Sequence, residues 1–96
     1  MMILVTYDVN MESASGTKRL RNVAKACENI GQRVQKSVFE CLVEPEQYVT
    51  LKNKLLSIID KDKDSIRIYI LGAKWERRIE HYGITQSFKQ EGAIIL

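Results

Sequence analysis

The hydrophobic pattern is most continuous at the start of the chain. Residues 2–9 are almost all apolar, aromatic or β-branched, which predicts a buried strand. Asp8 interrupts this pattern, and a charge at the end of a buried strand costs several kcal/mol unless it has a partner or faces water. Asp8 therefore has three possible roles: it is paired, it lies at an edge, or it has a function.

Two stretches show helical periodicity. The first follows the polar loop 10–16, can be capped by Ser15 or Thr17, and ends at Gly31. Its apolar face consists of Leu20, Val23, Ala24, Cys27 and Ile30. The second begins at residues 44–46, where Pro45 fits the first helical position. Its predicted buried face consists of Tyr48, Val49, Leu51, Leu55, Leu56, Ile58 and Ile59.

Alternating residues predict the remaining strands. Residues 32–43 have the pattern of one long strand and residues 65–71 of another. Residues 73–82 allow a short edge strand, and the single histidine there, His81, is expected to have a surface or hydrogen-bonded role rather than a catalytic one. The apolar residues 92–96 are expected to be covered by adding a strand to a partner's sheet. Residues 60–64 predict a hydrated turn without the glycine and closing glutamate of a calcium loop.

This order of elements, β-α-β-α-β-β, has the content of an α+β, ferredoxin-like βαββαβ sandwich forming a single domain over residues 1–96. Two helices on one side leave the other sheet face bare, which predicts a homodimer. No apolar run approaches twenty residues, and no signal peptide is recognisable, so neither a membrane span nor export is expected. Cys27 and Cys41 are expected to be buried thiols in a cytoplasmic protein.

Positive charge is concentrated in one part of the chain. The formal net charge is +3, but residues 13–39 contain six basic residues and a single acid, Glu28. Lys18, Arg21 and Lys25 project opposite the apolar face of the first helix, with Arg19 on its flank. A hydrated basic face is the simplest interpretation, and a polyanion-binding surface is the functional one.

Few of the residues support a specific chemistry. The sequence contains no nucleophile constellation, no phosphate-binding glycine loop and no obvious pair of catalytic carboxylates. One carboxylate is sufficient for magnesium, which keeps waters and binds substrate phosphate oxygens. In a twofold dimer, two copies of Asp8 can share one ion. The alternative is that Asp8 caps the following turn.

Three segments together resemble the CRISPR-associated Cas2 family. They are MILVTYDV at residues 2–9, GQRVQKSVFEC at residues 31–41 and DSIRIY at residues 64–69. The resemblance implies a ferredoxin-like homodimer in which the C-terminal strand packs on the other protomer. It also implies a metal-dependent endonuclease acting on RNA or double-stranded DNA, or a non-catalytic DNA scaffold. Either activity would serve spacer acquisition with the integrase Cas1.

The same resemblance suggests roles for individual residues. Asp8 corresponds to the aspartate that binds one Mg²⁺ or Mn²⁺ shared between two protomers, and Tyr7, Arg33, Ser37 and Phe39 lie around it as further catalytic-site candidates. Arg19 and Arg21 match basic positions of the first helix. The full set of candidate nucleic-acid-binding residues is Lys18, Arg19, Arg21, Lys25, Arg77 and Arg78.

Overall fold

Four antiparallel strands and two helices form the chain in a computed structural model that describes residues 1–84. The elements are β1 (Met2–Asp8), α1 (Ala14–Glu28), β2 (Gln32–Gln35), β3 (Val38–Leu42), α2 (Pro45–Ile58), β4 (Ser65–Gly72) and a 3-10 turn (Trp75–Arg78). The strand order is β2-β3-β1-β4, and every neighbouring pair is antiparallel. This arrangement confirms the ferredoxin-like α+β prediction.

The central position of β1 follows from its sequence. Ile3, Val5 and Tyr7 alternate toward the helices and are buried. On one side β1 pairs with β3 as far as Thr6, and on the other it pairs with β4 as far as Asp8. The core is completed by residues from β3, α1 and α2, chiefly Phe39, Cys41, Val23, Cys27, Leu51 and Leu55.

The predicted single strand over residues 32–43 is wrong. Instead, Lys36 and Ser37 form a two-residue turn between β2 and β3, which makes a hairpin. A register shift between Arg33 and Gln35 makes β2 irregular, which further separates it from the regular long strand that was predicted. The short edge strand predicted within residues 73–82 is not present, because residues 75–78 form a 3-10 turn. The fourth strand of the sheet comes instead from the division of residues 32–43 into β2 and β3. The predicted tail strand at residues 92–96 lies outside the described residues.

The helix boundaries differ from prediction at α1. Ser13 is the N-cap residue rather than Ser15 or Thr17, and its side chain makes no capping hydrogen bond. Gly31 follows the helix without a positive φ. A Cβ at Gly31 would collide with the Cys41 sulfur and lie 2.8 Å from the Glu40 carbonyl oxygen. Close packing against β3, rather than a left-handed turn, therefore requires glycine at this position.

The start of α2 agrees with the prediction, but part of its face does not. Glu44 and Gln47 form a capping box, and Pro45 occupies the first turn. Leu51 and Leu55 are buried, and Tyr48, Ile58 and Ile59 pack against the core. Val49 and Leu56 are exposed. Each is rotated by at least 100° around the helix axis from the nearest buried residue, Leu51 for Val49 and Leu55 for Leu56.

The sheet face opposite the helices carries exposed apolar side chains, as predicted for a bare face. Leu42 of β3 is 59% exposed and Tyr69 of β4 is 43% exposed. Both cysteines are free and buried, and burial raises the pKa of Cys27 to about 12 and that of Cys41 to about 11. Among residues 1–84, no helix combines the length and hydrophobicity needed to cross a membrane.

Candidate metal and nucleic-acid site at the end of β1

Asp8 is the last residue of β1, and its side chain is exposed. It lies opposite Ser65 of β4, beyond the point where β3 stops pairing. Its carboxylate makes no hydrogen bond or ion pair with any residue between 1 and 84. Asn10, rather than Asp8, stabilises the following turn, because its side-chain oxygen accepts a hydrogen bond from the Glu12 amide at 2.9 Å.

Tyr7, Phe39 and Arg33 form one cluster on the helix side of the sheet. The Tyr7 and Phe39 rings stack with centroids 6.2 Å apart, and the Arg33 guanidinium lies 5.1 Å from the Phe39 centroid. Arg33 also donates a hydrogen bond to Glu28 at 3.2 Å. Phe39 is completely buried, so in this conformation it supports the neighbouring side chains rather than contacting solvent.

The environment keeps Tyr7 protonated. Burial raises the pKa of its hydroxyl, although the nearby Arg33 partly opposes this rise. The protonated hydroxyl donates a hydrogen bond to the Lys36 carbonyl oxygen at 3.4 Å. The Tyr7 amide donates to the Ser37 carbonyl oxygen at 3.2 Å, so the hairpin turn contacts the end of β1.

The five candidate catalytic residues therefore share one end of the sheet but not one face. Asp8 follows Tyr7 directly and, by strand alternation, points to the opposite side of the sheet. Tyr7, Arg33 and Phe39 lie on the helix side, and Ser37 is in the turn beside them. The structure thus separates an exposed carboxylate from a cluster that shapes the strand end.

The candidate nucleic-acid-binding residues fall into three locations. Lys18, Arg21 and Lys25 are exposed along α1. Arg77 and Arg78 follow β4, whose end pairs with Met2, so they lie at the opposite end of the sheet from Asp8. The remaining residue, Arg19, is engaged within the protein, and its side chain is only 13% exposed.

The partner of Arg19 is Asp64, a residue that the sequence placed in a hydrated turn. That prediction is wrong for Asp64, whose side chain is completely buried. Its carboxylate accepts hydrogen bonds from Arg19 Nε at 2.7 Å, the Asp60 amide at 2.8 Å and the Asn10 amide at 3.0 Å. The hydrogen bond from Arg19, together with those from the two amides, lowers the pKa of Asp64 to about 2.

This network fixes the loop that follows Asp8. The Asp64 carboxylate, just before β4, accepts a hydrogen bond from the Asn10 amide in this loop. It also accepts one from Arg19, which connects the first turns of α1 to the same loop. A Cβ at Gly16 would collide with the Asn10 carbonyl oxygen, so the helix packs directly on the same loop. One sequence signal was available: Asp64 immediately precedes β4, within a segment that carries the family resemblance.

The metal-ligand inventory of one chain is small. Among the described residues, no three His, Cys, Asp or Glu side chains come together in a group that could hold an ion. Asp8 alone supplies one carboxylate, which suits an ion that retains most of its waters. Asp8 would therefore hold such an ion only together with ligands from beyond the described residues.

Comparison with known proteins finds relatives along the whole chain, identical at about half of its positions. The family model "CRISPR associated protein Cas2" matches residues 1–79. The chain is 51% identical to the "CRISPR-associated endoribonuclease Cas2" of Nitratidesulfovibrio vulgaris, covering 100% of this chain and 94% of that protein. It is 54% identical to the "CRISPR-associated endonuclease Cas2" of Halalkalibacterium halodurans, covering 99% of both chains.

A solved structure agrees with the sequence comparison. Streptococcus pyogenes Cas2, crystallised at pH 6.5, matches with a TM-score of 0.75 and 59% identity, covering 86% of this chain and 100% of that one. The fold and these comparisons together define a small ferredoxin-like protein of the CRISPR-associated class. The chain belongs to the Cas2 family.

Proposed function

We propose that the chain is a magnesium- or manganese-dependent endonuclease of a CRISPR system that takes part in spacer acquisition. The observation that carries this proposal is Asp8, an exposed strand-end carboxylate with no partner among residues 1–84. The relatives are named as nucleases, one an endoribonuclease and another an endonuclease. The substrate is accordingly a phosphodiester of RNA or double-stranded DNA.

The proposed active form is a cytoplasmic homodimer that works with the integrase Cas1. The exposed Leu42 and Tyr69 side chains give the open sheet face an apolar surface that a second copy can cover. A twofold axis near the ends of the two β1 strands would allow two Asp8 carboxylates to hold one ion. This pairing would supply the second carboxylate that is not grouped with Asp8 among residues 1–84.

Within this proposal, the residues of the chain divide the work. The two copies of Asp8 would hold the ion, which supplies Lewis-acid stabilisation of phosphate charge and a more acidic bound water. Arg33, fixed over Phe39 and beside Glu28, presents a planar cation suited to phosphate. Tyr7 keeps its proton and connects β1 to the hairpin turn, and so fixes the end of β1 next to Asp8.

Removing the metal tests the proposal directly. Purified protein treated with EDTA is expected to lose cleavage of RNA and of double-stranded DNA, and Mg²⁺ or Mn²⁺ is expected to restore it. Calorimetric titration should give about one ion per two chains. Cleavage that persists at full rate in excess chelator would contradict the metal-dependent mechanism, and one ion per chain would contradict the shared site.

A non-catalytic DNA scaffold is the second candidate function. It is favoured by the absence of a metal-ligand cluster within residues 1–84 and by the exposed cations Lys18, Arg21 and Lys25. In this role, α1 contacts phosphates without reading sequence, and Arg77 and Arg78 add contacts at the other end of the sheet.

Salt dependence measures this scaffold role. The logarithm of the DNA affinity is expected to fall with the logarithm of salt concentration by about 0.9 per phosphate contact. Lys18→Ala should reduce the magnitude of that slope by about 0.9, the value for one lost phosphate contact. A slope near zero for the unmodified protein would exclude phosphate-based scaffolding.

A further inference from the structure

A groove runs between α1 and the β2–β3 hairpin, on the helix side of the sheet. It has a volume of about 690 Å³, and its charged and hydroxyl lining includes Arg21, Lys25, Glu28, Arg33, Lys36 and Ser37. Four of these side chains are cationic and one is acidic, which gives the groove a net charge of three positive units. Such a concentration of positive charge between two walls attracts phosphate.

The two walls differ in rigidity. Arg33 on the hairpin wall is fixed by the Phe39 ring and the Glu28 carboxylate, so little side-chain entropy is lost when it binds an anion. Arg21 and Lys25 on α1 and Lys36 in the turn are exposed and can adjust to the ligand. Cations spread over two walls can each contact a different phosphate of one nucleic-acid backbone.

The groove ends next to the candidate metal site. Tyr7 lines it and contacts the turn through Lys36, and Asp8 is the next residue along β1. Side chains of consecutive strand residues point to opposite faces, so the groove and the Asp8 carboxylate lie on opposite sides of one strand end. The two residues are nevertheless close, because consecutive Cα atoms are about 3.8 Å apart. A polymer leaving the groove past the turn can therefore reach Asp8, whereas a small anion in the groove cannot.

We propose that this groove binds the phosphodiester backbone of one strand of the nucleic acid, at nucleotides flanking the one placed at Asp8. The inference rests on the proposed nucleic-acid function and adds to it a location for the flanking phosphates. The volume is that of a small-ligand pocket, which accommodates a short stretch of one strand between helix and hairpin. Lys36, absent from the candidate set predicted from sequence, becomes a binding residue.

Neutral methylphosphonate linkages, introduced one at a time along a partly single-stranded oligonucleotide, test this subsite. Binding is measured by fluorescence anisotropy with Asp8→Asn protein, so that cleavage does not interfere. Neutralising the phosphates held in the groove should weaken binding about tenfold at a few consecutive positions. With Lys36→Ala added, neutralising those same positions should change binding less than about twofold, because the contact is already lost.

Lys54→Ala is the matched control, because Lys54 is an exposed lysine on α2 that does not line the groove. It should leave the position-dependent pattern unchanged. An equal effect of Lys36→Ala and Lys54→Ala, a uniform loss at every position, or no binding at all would overturn the subsite. Failure of wild-type protein to cleave, with the positional coupling intact, would instead overturn the nuclease proposal alone.

Discussion

Asp8→Asn is expected to lower metal-dependent cleavage by about 100- to 1,000-fold while leaving the protein folded. Charge stabilisation by a bound metal is worth several kcal/mol, and each 1.4 kcal/mol changes a rate about tenfold. Asparagine keeps the size of the side chain but removes the negative charge that holds the ion. Because the Asp8 carboxylate makes no hydrogen bond or ion pair with a described residue, the substitution removes no such interaction there.

Glu12→Gln provides the matched control for Asp8→Asn. Glu12 is also an exposed carboxylate, four residues further along the chain, and its substitution changes the net charge equally. Cleavage rates, sedimentation and thermal unfolding should be compared for the two variants. Full activity of extensively purified Asp8→Asn protein would show that Asp8 is not the ligand, and loss of activity in both variants would indicate a general charge effect.

The fold was predictable because its strongest signals are local. The hydrophobic alternation of β1, the Pro45 start of α2 and the periodicity of α1 each depend on neighbouring residues. The hairpin was not predictable in the same way. Its turn, Lys36-Ser37, contains neither glycine nor asparagine, the residues that normally mark a two-residue hairpin loop.

The candidate site was predictable only in part, because some of its contacts join residues that are far apart in the sequence. Asp8 stands out because it breaks an apolar run, and the structure leaves it exposed and without a described partner. Arg19 and Asp64 are 45 positions apart, and their ion pair forms only when α1 meets the start of β4. In sequence, Asp64 closes an alternating series of charges, which gives no sign that one of them is buried.

The second large expected effect is on stability: Asp64→Asn should lower the melting temperature at neutral pH by at least about 5 °C. The substitution removes the charged acceptor of Arg19 and weakens the acceptor of the Asn10 and Asp60 amides. Because Asn10 is two residues beyond Asp8, cleavage should fall as well, through loss of positioning rather than loss of a metal ligand.

The pH dependence distinguishes this ion pair from ordinary packing. The pKa of Asp64 is about 2 in the folded protein and 3.8 as a reference, so its charge stabilises the fold above about pH 3.8. That stabilisation is lost as pH falls through about 2. The melting-temperature difference between wild type and Asp64→Asn should therefore be largest at neutral pH and shrink between pH 4 and pH 2.

Asp62, an exposed aspartate in the same turn, provides the control. Asp62→Asn should show no pH-dependent difference in melting temperature from the wild type. A difference that stays constant with pH would mean that Asp64 contributes through its shape rather than its charge.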